Sequence, residues 1–417
     1  GHNVEVASIA YFDFDGMVDV RVISNKERVN SARVRPLSYK ITPDCVGDTV
    51  TFSLSRPRNL SVEVNGDIFH NLHLFANPID KFRPSDKEIQ RALKKKKGSN
   101  LIYFGPGVHN LPNDTLFVPS GTTVYIDGGA RVYGNIFTEG AHDVNIFGRG
   151  EVHPDGRGAG VWVRRSKNVR IDGIVVSQLP IGQCDSVELT NVKSISYYGW
   201  GDGMDVFSSS NVILDGVFCR NSDDCAAVYA STQGFKGGSN NVLVKNATLW
   251  ADVAHPINIG GHGDPNGMDT VQNVTFRNID ILDQAEKQVD YQGCLAINPG
   301  DNTLVRNITF ENIRIEDFRN GQLVNFRISF NPKYCVSTGR GIQNVLVKDV
   351  TYNGSGENLS IIAGYDENHK ISGIRFVNLV VNGRKITDDM PGKPKWYKTG
   401  DMAGIFVGEH VENLSFE

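Results

Sequence analysis

Two short acidic segments, 21 residues apart, carry the side chains that could do acid–base chemistry. Asp202 and Asp205 lie in the run Gly-Asp-Gly-Met-Asp, and Asp223 and Asp224 lie in the run Asn-Ser-Asp-Asp-Cys. If the two segments meet in space, three or four carboxyl groups share one patch. Like charges at short distance raise the pKa of at least one group, which leaves a proton donor beside an ionised base. Two such carboxyl groups are what the hydrolysis of a glycosidic bond requires.

A structural explanation competes with this chemistry, because Asp is also common in turns, where its side chain accepts hydrogen bonds from the backbone. A single Asp in a turn is best explained in that way. The pair Asp223 and Asp224, however, is flanked by apolar strand residues and follows the acidic segment around Asp202 by one structural repeat. This arrangement favours a functional site.

The elements that would bring the two segments together form a repeat that starts near residue 101. Three-residue segments with an apolar first and third residue recur along the chain, and most are preceded by Asn. They begin at residues 144, 169, 187, 212, 242, 274, 308, 345 and 374. The intervals between them are 25, 18, 25, 30, 32, 34, 37 and 29 residues, with no helical pattern in between. Repeats of this kind are typical of a parallel β-solenoid, in which each rung buries its inner face against the next. A β-propeller is the alternative, but it has a more regular period and four strands per blade.

Asp202 and Asp223 are about one rung apart in such a solenoid, so we expect them to stack on each other. The composition agrees with this fold, because 44 of the 417 residues are Gly and 37 are Asn. These are the two residue types most at home at positive φ. Asn at equivalent turns can adopt the left-handed conformation and form hydrogen bonds with its neighbour one rung away.

Composition and charge exclude several other classes of protein. Forty per cent of the residues are hydrophobic, too many for a disordered chain, and no stretch reaches the roughly 18 apolar residues of a membrane helix. The formal net charge of −4 gives no sign of a nucleic-acid or membrane partner. The lysine run at residues 94–97 is typical of a solvated helix C-terminus. The six cysteines form no CxxC pair, and we expect neither a metal nor a cofactor.

The first 80 residues differ from the rest and predict an N-terminal β-sandwich. Short strands at residues 4–6, 18–22, 49–54 and 60–64 are separated by Asp, Gly, Asn and Pro. We place the domain boundary near residue 80, so the domains are 1–80 and 81–417. Gly1 and His2 resemble an expression scar.

The second domain is predicted to open with a short helix. Ser85 and Glu88 form a capping box, and Gly98 ends the apolar pattern. The end of a solenoid exposes an apolar cross-section and unpaired strand edges, so it needs a cover. We expect Ile89 and Leu93 to provide it.

The acidic segments, followed by a histidine segment, resemble the motifs of the right-handed β-helix glycoside hydrolases. These are the polygalacturonases (family 28) and the dextranases and isopullulanases (family 49). The 21-residue step matches family 28, and residues 102–108 and 119–130 are similar to the start of such helices. An N-terminal β-sandwich is similar to family 49, as are residues 247–250 and 256–260. The resemblance implies an all-β protein: a right-handed parallel β-helix (pectin-lyase-like) preceded by a β-sandwich domain.

Residue by residue, the resemblance also implies roles in an inverting mechanism. Asp223 matches the general acid that protonates the leaving oxygen, and Asp202 and Asp224 match the pair that activates the attacking water. Asp205 matches an accessory aspartate of family 28. Inversion requires carboxyl groups far enough apart to admit that water.

Two histidines compete for the position of the family 28 histidine. His255 matches it if a longer turn at residues 231–240 is allowed. His262, between Gly261 and Gly263, reproduces the Gly-His-Gly motif literally. We regard both as candidate substrate-binding residues, with a structural role as the alternative for each.

One departure from family 28 concerns the Arg-x-Lys pair that holds a uronate carboxylate. At the expected distance this chain has Lys-Gln-Val-Asp-Tyr, residues 287–291. Arg327 and Lys333 form the nearest basic grouping, at a different spacing. Because Arg is the natural reader of a carboxylate, the departure favours a neutral sugar unless Arg327 and Lys333 fold back onto the cleft.

Aromatic residues near the acidic segments could stack on sugar rings. The candidates are Trp200, Tyr198, Tyr229, Tyr291 and Tyr334. Core packing is the alternative for each tyrosine, and it is weaker for Trp200, which precedes Gly201 and Asp202 directly.

Together these observations predict a secreted or periplasmic glycoside hydrolase that inverts the anomeric centre. Its partner would be a polysaccharide or oligosaccharide with α-glycosidic bonds, either a dextran-like α-glucan or a pectic glycan. Two alternatives stay open. A β-helix polysaccharide lyase or epimerase would use a basic residue and often Ca²⁺ held by carboxylates. A non-catalytic glycan-binding solenoid would be unaffected by Asp223→Asn.

Overall fold

The computed structural model describes residues 6–94, 98–154, 156–355 and 357–417. Nearly all of their regular structure is β-strand, and the chain divides into two compact units, Gly1–Arg83 and Pro84–Glu417. Gly1 and His2, the first two residues of the strand predicted at 4–6, and residues 95–97 of the lysine run lie outside the described residues.

The first unit is built from two small sheets. Its strands are β1 (Ser8–Phe14), β2 (Val18–Ile23), β3 (Ala32–Arg35), β4 (Asp44–Val46), β5 (Thr49–Leu54), β6 (Arg58–Val64) and β7 (Asp67–Pro78), with a 3-10 turn at Leu37–Tyr39. Strands β1, β7, β6 and β3 form one sheet in that order, and β2, β5 and β4 form the other. Val50, Phe52 and Leu60 belong to an apolar core to which both sheets contribute.

The second unit contains the remaining strands and two short helices. It begins with α1 (Asp86–Leu93), β8 (Leu101–Phe104), β9 (Gly107–Phe117), β10 (Thr123–Ile126), β11 (Ala130–Glu139), β12 (His142–Gly148), β13 (Glu151–His153), β14 (Val161–Arg164), β15 (Lys167–Asp172), β16 (Val175–Val176), β17 (Ile181–Gly182), β18 (Asp185–Thr190) and β19 (Lys193–Ile195). It continues with β20 (Met204–Phe207), β21 (Ser210–Asp215), β22 (Phe218–Asn221), β23 (Ala226–Tyr229), β24 (Ser239–Lys245), β25 (Thr248–Ala251), β26 (Ile257–Ile259), β27 (Thr270–Asp283), a 3-10 turn (Val289–Tyr291) and β28 (Leu295–Ile297). It ends with β29 (Leu304–Ile315), β30 (Gly321–Gln322), β31 (Val324–Arg327), β32 (Gly341–Tyr352), β33 (Glu357–Asn358), β34 (Ser360–Ala363), β35 (Ile371–Val381), β36 (Arg384–Ile386), α2 (Thr399–Met402), β37 (Ile405–Val407) and β38 (Val411–Phe416).

Most strands of the second unit pair in three parallel stacks, and this unit is a right-handed parallel β-helix. Outside the stacks, β30 pairs with β33, and β36 pairs antiparallel with β35. The first stack contains β8, β10, β12, β15, β18, β21, β24, β27, β29, β32, β35 and β38. The second stack contains β9, β11, β13, β16, β19, β22 and β25, and continues through the C-terminal parts of β27, β29, β32 and β35. The third stack contains the end of β11, then β14, β17, β20, β23, β26, β28, β31, β34 and β37.

All nine repeat segments identified in the sequence lie in the first stack, which confirms the solenoid. A propeller is excluded, because its blades are antiparallel sheets. Val144, Val169, Val187 and Val212 follow one another in register, and each is at most 1% exposed. Burying one such side chain contributes about 1.5–3 kcal/mol, so the stacked valines hold successive rungs together.

Asparagine ladders run along the outside of the first stack, as the Asn excess indicated. Asn246, Asn278 and Asn312 all have positive φ, between 54° and 57°. Asn278 donates from Nδ2 to Oδ1 of Asn246 (2.6 Å), and Asn312 donates to Oδ1 of Asn278 (3.3 Å). A second ladder joins Asn273, Asn307 and Asn344 in the same way.

The predicted helix is α1, and its capping box is confirmed. Ser85 accepts a hydrogen bond from the Glu88 N–H, and the Glu88 carboxylate accepts one from the Ser85 N–H. Ile89 is buried, but Leu93 is 57% exposed, so the expectation that Leu93 covers the solenoid end was wrong. Leu93 is the last residue of the helix, and its side chain faces solvent. Within the described ranges, no helix is long and apolar enough to span a membrane.

Candidate active site

The acidic segments occupy successive turns between the second and third stacks. Asp202 precedes β20, and Asp223 and Asp224 precede β23, with Met204 paired to Ala226 in the register of the two strands. The Gly203 N–H donates to the Asp224 carbonyl (2.7 Å). One carboxylate oxygen from each of the three aspartates lies within 4.8 Å of the others. We call Asp202, Asp223 and Asp224 the carboxylate cluster.

Glycine allows the two turns to approach this closely. A Cβ on Gly203 would lie 2.2 Å from the Cys225 carbonyl oxygen, and one on Gly201 would lie 2.4 Å from Oγ of Ser222. Both distances are impossible for real atoms, so Gly on each side of Asp202 is a packing requirement. Beneath the turns, the buried Asn221 amide donates to the Asp202 carbonyl (3.1 Å) and thereby ties one rung to the next.

Asp224 is buried and holds four hydrogen bonds. Its Oδ1 accepts from the backbone N–H (3.0 Å) and the ring Nδ1 (2.7 Å) of His255. Its Oδ2 accepts from the Tyr229 hydroxyl (2.6 Å) and from Nδ2 of Asn258 (2.8 Å). A carboxylate offers about four acceptor sites, so protein donors occupy all of those on Asp224.

Because of these contacts, the pKa of Asp224 shifts in the opposite direction from the pKa values of Asp202 and Asp223. Burial alone would raise the pKa of Asp224, but the charge of His255 and the donated hydrogen bonds outweigh it and lower the pKa. Burial, followed by the negative charge of Asp224, raises the pKa of Asp223 to about 7. Burial, followed by Asp223 and Asp224, raises the pKa of Asp202 well above its usual range. The cluster therefore holds at least one proton near neutral pH beside a permanent anion.

Asp205 and His255 lie deeper than the sequence suggested. Asp205 is 5% exposed, and burial followed by the charge of Asp202 raises its pKa well above the usual range. His255 is 0% exposed, and its Nε2 has no hydrogen-bond partner among the described residues. With its other nitrogen on Asp224, His255 supports the cluster from below.

Tyr229 is placed differently from the sequence prediction. Its side chain is only 5% exposed, and its hydroxyl binds Asp224 and Asn258. The prediction that Tyr229 stacks on a sugar ring was therefore wrong, since its ring stacks on Phe207 of the preceding rung (5.9 Å between centroids). The ring of His262 lies edge-on to Tyr229 (5.1 Å between centroids), and burial lowers the pKa of His262.

An aromatic row leads from the surface to the cluster on the C-terminal side. The Tyr291 ring lies edge-on to His255 (4.6 Å) and stacks on Tyr334 (4.7 Å). The Lys333 ammonium lies 4.7 Å from the Tyr334 ring centre. Contact with Tyr334 raises the pKa of Lys333, and the negative charges of Glu286 and Asp223 contribute. The loop after β31 thus brings Lys333 back toward the carboxylates.

Arg327 does not share this placement. It ends β31, three rungs beyond the strand that carries Tyr229, which corresponds to about 14 Å along the helix axis. Within the described ranges, the contacts of the carboxylate cluster do not include the Arg327 side chain. Of the two basic residues considered, the structure brings only Lys333 near the cluster.

Glu286 is a site residue that the sequence reading missed. It is 4% exposed, accepts a hydrogen bond from the Gln288 N–H (2.7 Å), and its charge contributes to the raised pKa of Asp223. It follows β27 in the same row of turns that carries Asp202, Asp223 and His255. Counting one turn further along the repeat would have found it.

A cleft of about 310 Å³ opens on the N-terminal side of the cluster. Its walls include Arg157, Trp162, Gln178, Trp200 and the cluster residue Asp202. Trp200 is 66% exposed and has a φ of +63°, a conformation that costs a bulky residue about 1–2 kcal/mol. Gln178 donates from Nε2 to the Trp200 carbonyl (3.0 Å) and so stabilises this turn.

The cluster also has the composition of a cation site. Its three carboxylate oxygens are hard ligands of the kind that Ca²⁺ prefers. The hydrogen bonds that fill Asp224 leave Asp202 and Asp223 as the residues with acceptor capacity for an ion or for water.

Comparison with known proteins places the chain in a family. Residues 160–390, more than half of the chain, match glycosyl hydrolases family 28. The chain belongs to that family. This confirms the resemblance drawn from the acidic segments.

Curated relatives of this family 28 member include a polygalacturonase of Juniperus ashei. It is 26% identical over 295 residues, which cover 63% of this chain and 54% of the relative. An exopolygalacturonase of Cochliobolus carbonum is 24% identical over 246 residues, 51% of this chain and 52% of the relative. The chain thus spans about half the length of these curated relatives.

Solved structures with the same fold cover nearly the whole chain. Dex49A from Penicillium minioluteum has a TM-score of 0.65 at 14% identity, over 98% of this chain and 83% of that one. A family 28 exopolygalacturonase of Yersinia enterocolitica has a TM-score of 0.55 at 12% identity, over 99% and 98%. At such identities the comparison concerns the fold alone.

Proposed function

We propose that the protein hydrolyses α-glycosidic bonds in a polysaccharide or oligosaccharide at the carboxylate cluster. The observation that carries the proposal is the pair of opposed protonation states: Asp223 with a pKa near 7 beside Asp224, which is held ionised. Acid–base hydrolysis needs a proton donor and a base in one place. Membership of family 28 supports the same reaction.

The hydrogen bonds suggest a division of roles within the cluster. Asp223 donates a proton to the leaving oxygen, which its pKa of about 7 permits at neutral and lower pH. Asp202 takes the proton of the attacking water in those molecules in which Asp202 is ionised while Asp223 is still protonated, since burial raises the pKa of both groups. The acceptor sites of Asp224 are filled by His255, Tyr229 and Asn258. Asp224 contributes its fixed negative charge. This refines the sequence-based assignment, in which Asp202 and Asp224 shared the water.

The stereochemistry follows from how the water is placed. The oxygens of the cluster lie within 4.8 Å, closer than the about 6.5–9.5 Å that separates two carboxyl groups in most inverting enzymes. With three carboxylates, a water on Asp202 can approach the sugar from the face opposite Asp223, and we expect inversion. Proton NMR of the first-formed anomer measures it, and retention would contradict this arrangement.

Asp223→Asn tests the function directly. The variant keeps the shape of the side chain but has no proton to donate, so we expect kcat to fall by at least about 10²-fold while the fold survives. The measurement is reducing-end release from dextran, pullulan, polygalacturonate and arabinan, with circular dichroism as the check on folding.

The matched control for that test is Asp143→Asn, which removes one charge from an exposed position in β12, on an earlier rung. It should retain full activity. A fully active Asp223→Asn protein would remove the basis of the proposal. A non-catalytic glycan-binding solenoid would instead show no hydrolysis in the wild-type protein and unchanged glycan binding in Asp223→Asn.

A Ca²⁺-dependent lyase is the second candidate function, because three carboxylate oxygens converge as cation ligands. It would need a base near the cluster. Lys333 is the basic residue that the structure brings there, but contact with Tyr334 raises its pKa and keeps it protonated, which counts against this reaction. Its products would be unsaturated and absorb in the ultraviolet, and chelation would abolish their formation. Hydrolysis that persists in excess chelator would exclude it.

The substrate and the location remain part of the proposal. A glycan with α-linked sugars, either an α-glucan or a pectic chain, fits the family. Such polymers lie outside the cell membrane, so we propose a secreted or periplasmic enzyme. Cleavage of only one polymer in the panel above would identify the substrate.

A further inference from the structure

The cleft beside the carboxylate cluster is lined largely by side chains that take no part in the acid–base chemistry of the cluster. Arg157, Gln178 and Trp200 come from three successive turns between the second and third stacks. Gln233, from a turn after the third stack, lies on the opposite side. The volume of about 310 Å³ is at the lower end of the about 300–1,000 Å³ of small-molecule sites. The cleft therefore has room for a ligand and is continuous with Asp202.

Trp200 dominates this cleft. A tryptophan at positive φ is an outlier, and strained backbone of this kind persists where its surroundings hold it in place. Gln178 supplies such support through its hydrogen bond to the Trp200 carbonyl, while the indole stays 66% exposed. The backbone conformation thus presents a large apolar surface to the cleft, where burial within the protein would have been the favourable alternative.

The charges around the cleft distinguish between ligand classes. Asp202 and Asp205 both line it, and Arg157 is the one basic residue among its described lining residues. The carboxylate of a sugar acid would find one guanidinium among these lining residues, that of the exposed Arg157, beside two carboxyl groups that offer it no positive charge. Amide groups such as those of Gln178 and Gln233 match the hydroxyl groups of a neutral sugar as donors and acceptors.

We propose that this cleft is a glycosyl subsite for a neutral pyranose ring, which stacks on the exposed indole of Trp200 opposite the Gln233 side. The inference rests on the proposed hydrolase function and deepens it, because it specifies an uncharged sugar on the N-terminal side of the cleaved bond. Lys333 lies on the other side of the cluster, so a charged sugar at that position is compatible with the proposal.

Binding to the Asp223→Asn protein tests the subsite without turnover. Tryptophan emission is followed during titration with isomaltotetraose, nigerotetraose and a galacturonic acid tetramer. We expect at least one neutral tetramer to change the emission and to bind at least about 10-fold more tightly than the acidic one. Adding Trp200→Ala should reduce the emission change to the part that comes from Trp162, which lines the same cleft, and should weaken binding about 3- to 10-fold, the range for one aromatic stacking contact.

Three further variants provide the controls. Trp200→Phe should restore most of the affinity, because it keeps an aromatic face. Trp396→Ala, which removes another exposed tryptophan (83%), should leave binding unchanged. Arg157→Gln should also leave the neutral tetramer unaffected. In the active enzyme, Trp200→Ala should raise KM and change kcat little.

Several results would overturn the inference. The acidic tetramer could bind as tightly as the neutral ones and lose affinity in Arg157→Gln, which would make the cleft a uronate site. Equal binding with and without Trp200 would also overturn it. If the wild-type protein hydrolyses no glycan while the binding results hold, the proposed function fails and the subsite stands. If hydrolysis proceeds and Trp200→Ala has no effect on KM, the subsite fails and the function stands.

Discussion

At the residue scale, the most informative side chain is the aspartate whose acceptor sites are already filled. Asp224 is bound by His255, Tyr229 and Asn258, so it stays ionised in a buried position. An ionised carboxylate beside Asp223 makes it harder for Asp223 to lose its proton. The hydrogen bonds on one aspartate therefore set the acidity of the next.

A pH profile tests this coupling. The general acid works when protonated, so kcat/KM should fall as pH rises through about 7, the pKa of Asp223. Glu286→Gln removes a negative charge that raises this pKa, so the alkaline limb should move to lower pH. Asp224→Asn, measured on its residual activity, should move the limb further, since Asp224 has the larger effect on Asp223.

Asp143→Asn serves again as the control for these profiles and should leave the limb in place. A limb that stays fixed in both Glu286→Gln and Asp224→Asn would mean that Asp223 is not the titrating group.

The sequence revealed the pairing of Asp202 with Asp223 because a fixed step of 21 residues matches one rung. It could not reveal the burial of Tyr229, which depends on turns of irregular length that fold over the strand. The position of Lys333 could likewise not be predicted, since a loop of thirteen residues between β31 and β32 carries it back toward the cluster. Periodic contacts can be predicted from a repeat, and loop contacts cannot.

At the element scale, the asparagine ladders fix the bends between strands. Asn278 has a φ of +57°, donates to Asn246 and accepts from Asn312. Each of these hydrogen bonds contributes about 0.5–1.5 kcal/mol, and less where water competes. Asn thus stabilises the fold in two ways: it tolerates the left-handed backbone conformation, and its side chain forms hydrogen bonds to the neighbouring rungs.

Two substitutions separate these contributions. Asn278→Gly keeps the left-handed conformation and loses the hydrogen bonds, so we expect a loss of about 1 kcal/mol in the free energy of unfolding. Asn278→Ala adds the cost of positive φ, about 1–2 kcal/mol more. Urea unfolding followed by circular dichroism measures both. Equal midpoints for the two variants would mean that the backbone conformation contributes nothing.

The strand pattern of the second unit was predictable because the repeat, the Asn residues and the turn glycines all indicate the same fold. The solvent-facing orientation of the Leu93 side chain was not predictable in this way. A helix of eight residues gives a short apolar stripe, and which of its residues faces the solenoid depends on where the helix ends.

At the scale of the whole molecule, the site lowers the stability of the fold. Asp205 is buried, and its pKa is raised well above that of an unfolded chain. The folded state then binds more protons than the unfolded state above about pH 4, so stability decreases as pH rises through this range. The protein retains a charge-bearing side chain where a neutral one would be more stable.

Asp205→Asn should therefore stabilise the protein at pH 8, by about 1 kcal/mol or more. The gain should shrink as pH falls and disappear below about pH 3, where the wild-type carboxyl is neutral in both states. Thermal unfolding at the two pH values measures the difference. A variant that is destabilised at pH 8 would show that Asp205 is ionised and well solvated in the folded protein.

The three stacks keep a constant rise per rung, whereas the intervals between repeats vary from 18 to 37 residues. All of that variation is absorbed in turns, and the turns on either side of the third stack are the walls of the site. Insertions there can reshape what the protein recognises and leave the positions of the carboxylates unchanged. Substrate specificity and the reaction itself can therefore evolve separately. The turns can lengthen while the reacting carboxylates stay on the same pair of rungs.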